Sequence, residues 1–260
     1  NRAHVMANLR LLSVLLATLM LLLAPTTASG SEPDARDSLI NRRDRVVAIK
    51  PHVEMGFLGQ LSHKLQLGAD GTYVDVRKDL GQDTLYFFAR LSGDLDIGKR
   101  RRHTVSLLWQ PLDITSDVVL DRDIQVEDQL IAADTPLSFR YGFSFWRLSY
   151  LFDILKDRRE VAVGVGLQIR NANIQYATKD GEVLRGVRDV GPVPLLKFRG
   201  RGYLARRFWM GGEVDGFYAP IRYINGANSD VEGAILDASL RFGLTWKRGI
   251  DTFLNVRYLA

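Results

Sequence analysis

From residue 50 onward the chain alternates between apolar and polar positions with a period of two. Residues 234–247 show it most plainly. Ala234, Leu236, Ala238, Leu240, Phe242, Leu244 and Trp246 fall on one face; Ile235, Asp237, Ser239, Arg241, Gly243, Thr245 and Lys247 fall on the other. A strand sends successive side chains to opposite faces, whereas a helix would scatter both sets around its circumference. Val161, Val163, Val165, Leu167 and Ile169 oppose Ala162, Gly164, Gly166, Gln168 and Arg170 in the same way. Leu196 and Phe198 oppose Lys197, Arg199 and Arg201, and Leu85, Phe87, Ala89 and Leu91 oppose the face of Arg90, Ser92, Asp94 and Asp96. The pattern predicts strands over 50–65, 84–97, 102–114, 137–152, 160–177, 193–205, 207–219, 233–247 and 250–259. No repeat, low-complexity tract or linker divides the set, so residues 50–260 are expected to form one all-β, antiparallel, up-and-down domain.

An apolar face can point into a soluble sandwich or barrel, or outward from a transmembrane one. Three features favour the outward sense. The polar face carries charges of both signs: Arg90, Arg147, Arg170, Lys197, Arg199, Arg201, Arg241 and Arg257 with Asp94, Asp96, Glu213, Asp215 and Asp237. These can fill an interior as a paired, hydrated network, with Gly164, Gly166, Gly211 and Gly243 leaving room. Connections alternate: 66–83, 115–136, 178–192 and 220–232 are long and polar, while the turns near Gly98, Asp153–Glu160, Arg206 and Lys247-Arg248-Gly249 are short. Outer-membrane barrels sort long outer loops from short periplasmic turns in this manner. Finally, Tyr150, Phe152, Phe208 and Trp246 collect on the apolar face beside the short turns, where a membrane-interface girdle would sit.

The N-terminus reads as an address. Arg2 and Arg10 precede a charge-free apolar run, Leu11 to Ala24, which Pro25 ends; Thr26 to Gly30 are small, and cleavage is expected after Ala28. The run is shorter than the roughly 20 residues of a spanning helix. Residues 1–30 are therefore expected to be a signal peptide, with Met6 its expected start, and 31–49 an N-terminal periplasmic segment. Arg2 and Arg10 are the only charged residues lost with it, leaving 33 basic against 30 acidic residues. That surplus is too small to argue for nucleic acid. With no cysteine anywhere in the 260 residues, there is neither a disulfide framework nor thiolate chemistry. An exported chain of this kind suits a bacterial envelope.

On these features the chain resembles small bacterial outer-membrane β-barrel proteins. Tyr141-Gly142-Phe143-Ser144-Phe145-Trp146-Arg147-Leu148-Ser149-Tyr150 and Gly233-Ala234-Ile235-Leu236-Asp237-Ala238-Ser239-Leu240-Arg241 are similar to strands of uncharacterised members of that class. The resemblance implies location in the outer membrane, with its lipid, lipopolysaccharide and the barrel-assembly machinery as partners. It implies no activity, cofactor or ligand. An even strand number would put both termini in the periplasm. Counting nine, with Leu254, Val256 and Tyr258 facing lipid on the last, leads to the expectation that a tenth strand follows Ala260 and fills a seam between 50–65 and 250–259.

Chemical motifs are sparse. His52, His63 and His103 have no metal-ligand spacing. His103 and Ser106 fall on opposite faces of one strand, as do Ser62 and His63, so neither pair can be a local nucleophile and base. Asp94 and Asp96 share a face but sit beside the short turn at Gly98, where arginine partners are expected. Asp121-Arg122-Asp123-Ile124-Gln125 lacks the glycine of a calcium loop, and Gly164-Val165-Gly166 lacks the third glycine of a dinucleotide loop. Lys99-Arg100-Arg101-Arg102 is a compact basic run, read as a solvated turn or a contact for anionic headgroups. The expected role is a membrane barrel with a charged, side-chain-filled lumen, structural or a narrow conduit. The alternatives are a barrel enzyme acting on lipid or lipopolysaccharide, and a soluble periplasmic lipocalin-like binder.

Overall fold

A computed structural model describes residues 46–66, 71–126, 129–155, 159–180, 184–220 and 232–260. The expected signal peptide, nearly all of the 31–49 segment and the 220–232 connection lie outside the described residues. In chain order the elements are β1 (Val47–Gly59), β2 (Lys64–Leu65), β3 (Val74–Asp75), a one-turn helix α1 (Val76–Asp79), β4 (Leu85–Ile97), β5 (His103–Gln110), β6 (Asp113–Val119), β7 (Ile124–Val126) and β8 (Gln129–Ile131). Then follow β9 (Pro136–Asp153), β10 (Glu160–Thr178), β11 (Leu184–Tyr203), β12 (Phe208–Pro220), β13 (Glu232–Thr245) and β14 (Asp251–Leu259).

Ten of these strands form one antiparallel sheet, nine of them in the order β1-β4-β5-β9-β10-β11-β12-β13-β14 with β6 paired to β9 beside that path, and the nine curl into a half-barrel. Neighbours in the sheet are neighbours among the long strands of the chain, as an up-and-down arrangement requires. Among the described residues no backbone pairing joins β1 to β14, the two ends of the order. The nine expected strands are all present, with shifted ends. β1 starts earlier, at Val47, and leaves the sheet at Gly59, where the Gln60 amide bonds the Thr84 carbonyl at 2.9 Å. The expected strand 102–114 breaks at Pro111, which has no amide to donate. β6 continues along the same edge of β9, pairing with its residues 136–142.

The curl exposes the apolar face and buries the polar one. Cross-strand registers link Val53, Leu91, Trp109, Trp146 and Ile169 into one continuous row over five strands. Trp146 in that row is 51 % exposed. A second row runs Ile49, Leu95, Val105, Tyr150, Val165 and Leu196 over six strands. Across the strands of the opposite end, Phe208 faces Leu244, Phe242 faces Leu254 and Leu240 faces Val256. On the concave side Arg90, Arg147, Asp215 and Asp237 are each 1 % exposed. A soluble β-protein has the reverse distribution.

Two of the connections expected to be long and polar fold instead. β3 and α1 lie in the first, with β2 just before it at the end of the expected strand 50–65, and most of β6 with β7 and β8 lies in the second. Val74, Val76, Leu80, Leu120, Ile124, Val126 and Ile131 from these segments are buried against Leu137 and Phe139 of β9 and Tyr176 of β10. The concave face thus changes character along its length: polar in the middle, apolar at the long-connection end, where this cap covers it. The third expected loop, 178–192, is also corrected. β10 runs to Thr178 and β11 resumes at Leu184, so the pair forms one long hairpin. Gly186, Arg188 and Val190 of that extension are exposed. The extension continues past the apolar belt, so its composition resembles a loop.

Candidate functional site

Alternation places a charge on the concave face of nearly every strand, and the curl brings those charges together. Asp237 of β13 receives Arg90 of β4 at 3.1 Å, Arg147 of β9 at 2.9 Å and Arg257 of β14 at 2.6 Å. Arg147 also bonds Asp215 of β12, and Asp215 bonds Lys197 of β11 at 3.1 Å. Lys197 reaches Glu213 at 3.3 Å, and Glu213 takes Arg241 of β13 at 3.1 Å. Arg241 then bonds Glu54 of β1 at 2.8 Å, and Glu54 bonds Arg257 at 3.1 Å, which returns to Asp237. The result is a closed ring of alternating charge: Asp237, Arg147, Asp215, Lys197, Glu213, Arg241, Glu54 and Arg257. Neutral donors and acceptors complete it. Gln168 accepts from Arg147 Nε and Nη2 at 3.1 and 2.6 Å, Gln110 accepts from Arg90 at 3.3 Å, and Asn255 donates to Glu54 at 2.8 Å.

The remaining inward charges form smaller groups toward the short turns. Arg199 bridges Asp94 at 2.6 Å and Glu160 at 2.5 Å. Arg201 bonds Asp251 at 2.7 Å and stacks over Trp209, whose ring centre is 4.0 Å away. Asp96 pairs with Lys50 at 2.6 Å and accepts from Thr104, so the arginine partner expected for it is a lysine. In the β11–β12 register Arg199 lies opposite Glu213 and Lys197 opposite Asp215, although the Arg199 hydrogen bonds go to Asp94 and Glu160 and that of Arg201 to Asp251. Arg170 lies within electrostatic reach of Tyr141, toward the cap. These groups border a cavity of about 630 Å³ on the concave face, lined among others by Asp94, Arg199, Arg201, Trp209 and Asp251.

Glycines set the spacing around this site in two ways. A Cβ on Gly243 would fall 2.3 Å from the Trp209 indole, so its space goes to an aromatic ring and not to a long charged chain. A Cβ on Gly164 would fall 2.0 Å from the Tyr150 carbonyl oxygen; here the gain is close approach of β10 to β9.

The aromatic positions behave differently. Tyr150, Phe208 and Trp246 are exposed on the convex face at the short-turn end, and Phe152 there lies under the Arg102 guanidinium at 4.6 Å. Trp246 Nε1 donates to Thr252 Oγ1 at 2.8 Å.

The histidines do not converge. His52 Nε2 is 3.7 Å from Asp94, His103 bonds the Tyr150 hydroxyl at 2.7 Å on the convex face, and His63 is buried beneath the cap. His63 Nδ1 is 2.6 Å from Gln82 Oε1, and burial holds its pKa below the usual histidine value. Ser106 also hydrogen-bonds Asp94. The serine's hydrogen-bond partner is thus a carboxylate and not an imidazole. Among the described residues no three histidine or acidic side chains could hold a metal ion.

Glu54, Lys50, Gln110, Glu160, Gln168, Asp251 and Asn255 are site residues that the charge pattern did not single out. Glu54 was legible: Val53, Met55 and Phe57 alternate outward around it. Comparison with protein-family models, with curated proteins and with solved structures finds no match.

Proposed function

We propose that this chain is an integral outer-membrane β-barrel protein whose lumen is filled by its own charged side chains. The observation that carries this reading is the inversion of burial. Continuous apolar rows lie exposed across the convex face while a closed ring of eight charges, five of them buried and three partly buried, lies inside. Soluble monomers rarely expose contiguous apolar patches larger than a few hundred Å². Lipid is the solvent that such a face fits, and a polar interior is its counterpart in barrels that cross the outer membrane.

The role that fits best is structural. The cap closes the concave face at the long-connection end, and the ring fills the middle, so neither zone leaves the width of a diffusion pore. Among the described residues no nucleophile and base are assembled for chemistry on lipid or lipopolysaccharide. A soluble binder would turn its apolar face inward.

The test is detergent extraction from outer membranes followed by gel electrophoresis with and without heating. A folded barrel needs detergent to leave the membrane and migrates differently before and after boiling. Release by salt or buffer alone, or a single unchanging band, would refute the reading.

A further inference from the structure

The short turns carry a charge pattern that the ring does not explain. Lys99, Arg100, Arg206, Arg207 and Lys247 are all exposed, at the three turns that join β4 to β5, β11 to β12 and β13 to β14. Among the described residues none of these five cations takes part in an ion pair. Among the described residues the carboxylates at the same end are engaged. Asp153 accepts from the Leu155 and Val161 amides at 3.1 and 3.2 Å. Glu160, Asp251 and Asp96 are held by Arg199, Arg201 and Lys50 at 2.5, 2.7 and 2.6 Å. Acids are drawn toward the concave face, and cations are left outside it.

The rim lies directly beyond the exposed aromatic residues. Arg102 at its edge donates to the carbonyls of Asp153 and Ile154, both at 3.0 Å, with its guanidinium over Phe152. An apolar belt, then aromatic rings, then unpaired cations is the order met on leaving a bilayer through its headgroups.

We propose that this rim is a collar for the phosphate groups of anionic phospholipids, of the phosphatidylglycerol kind. The proposal rests on the outer-membrane reading above, in which the short turns face the periplasm and the adjoining leaflet is phospholipid. The five cations come from turns far apart in sequence, so the surface they offer is wide and shallow, suited to several headgroups at once. An exposed cation near an anionic surface strengthens association about fivefold.

Brominated lipids quench tryptophan on contact, which gives a local readout. Replacing Trp109→Phe and Trp146→Phe leaves Trp246 at the collar as the exposed tryptophan, since Trp209 is buried. The folded protein is placed in vesicles containing brominated phosphatidylglycerol or brominated phosphatidylcholine. The expected ratio of association constants favours phosphatidylglycerol about fivefold at low salt. It should fall toward one in about 1 M salt, where screening acts within about 3 Å. It should fall likewise when all five cations become glutamine, with heat-modifiable migration confirming that this variant folds. A ratio near one in the unsubstituted rim, or a preference that survives high salt, would overturn the collar alone. Quenching by neither lipid would overturn the membrane reading together with it.

Discussion

Arg147 and Arg140 lie on the same strand, both pair with an aspartate, and they should respond to removal very differently. Arg147 is 1 % exposed and serves Asp215, Asp237 and Gln168 at once. In Arg147→Leu, Asp215 keeps only Lys197 at 3.1 Å, while Asp237 keeps Arg90 and Arg257. The Gln168 oxygen loses both of its guanidinium donors. Breaking a buried pair from one side costs about 3–5 kcal/mol, because the surviving charge is left in a poor medium. Each carboxylate here retains a cation, so the low end, about 3 kcal/mol, is expected. Arg140 pairs with Asp113 with both side chains nearly half exposed, and Arg140→Leu should leave stability within error. Urea titration of the folded protein in detergent, followed by tryptophan fluorescence, measures both variants. The double variant Arg147→Leu with Asp215→Asn should recover part of the loss, since it removes the carboxylate left short of partners. Equal stability of the Arg147 and Arg140 variants would refute the idea that the ring holds the curl.

Three further outcomes follow from the same geometry. Leu167→Arg, on the exposed apolar face, should lower membrane folding by about 2–4 kcal/mol if that residue sits at the bilayer midplane, whereas Ser92→Arg, beside the inner cavity, should cost less; equal folding yields in vesicles would contradict this. Gly243→Ala should destabilise by about 1–3 kcal/mol through collision with the Trp209 indole and the Thr252 carbonyl oxygen, and Trp209→Leu in the same chain should reverse only the indole part of it in thermal melts. His63 has a folded pKa below its unfolded value of about 6.5, so the unfolded chain binds more protons at mildly acid pH. Its stabilising contribution is complete above that unfolded value and declines as pH falls below it; His63→Gln should flatten stability against pH in that window, and an unchanged slope would exclude the role.

Strand existence was legible because each long strand presents one face to an apolar surrounding, and a two-residue period needs no knowledge of partners. Strand ends were not. Beyond the apolar belt the hairpin of β10 and β11 still pairs by backbone, from Ala177 with Leu184 onward, but neither face there must be apolar. The cap escaped notice for the opposite reason. Val74, Val76, Leu80, Ile124 and Val126 are apolar, yet they come in stretches of two to four residues, too short for any period to show. The facing of the charges could be read from parity, but not their pairing. Arg257 and Glu54 are 203 positions apart, and only the curl decides that they meet.

That meeting bears on what the ring is for. Within the sheet every neighbouring pair of strands is held by backbone hydrogen bonds, except at the gap between β1 and β14. There Glu54 bonds Arg257 and Asn255 of β14 and reaches Arg241 on β13 behind it. One side chain from β1 therefore takes donors from both of the last two strands, at the one place where the ladder stops. In the membrane reading, unpaired backbone at that gap would meet hydrocarbon at several kcal/mol per group. Charge-assisted bonds are roughly twice as strong as neutral ones, and here they lie just inside the weakest line of the sheet. The polar interior is then a brace across the gap, which explains why its best-satisfied carboxylate is on an edge strand.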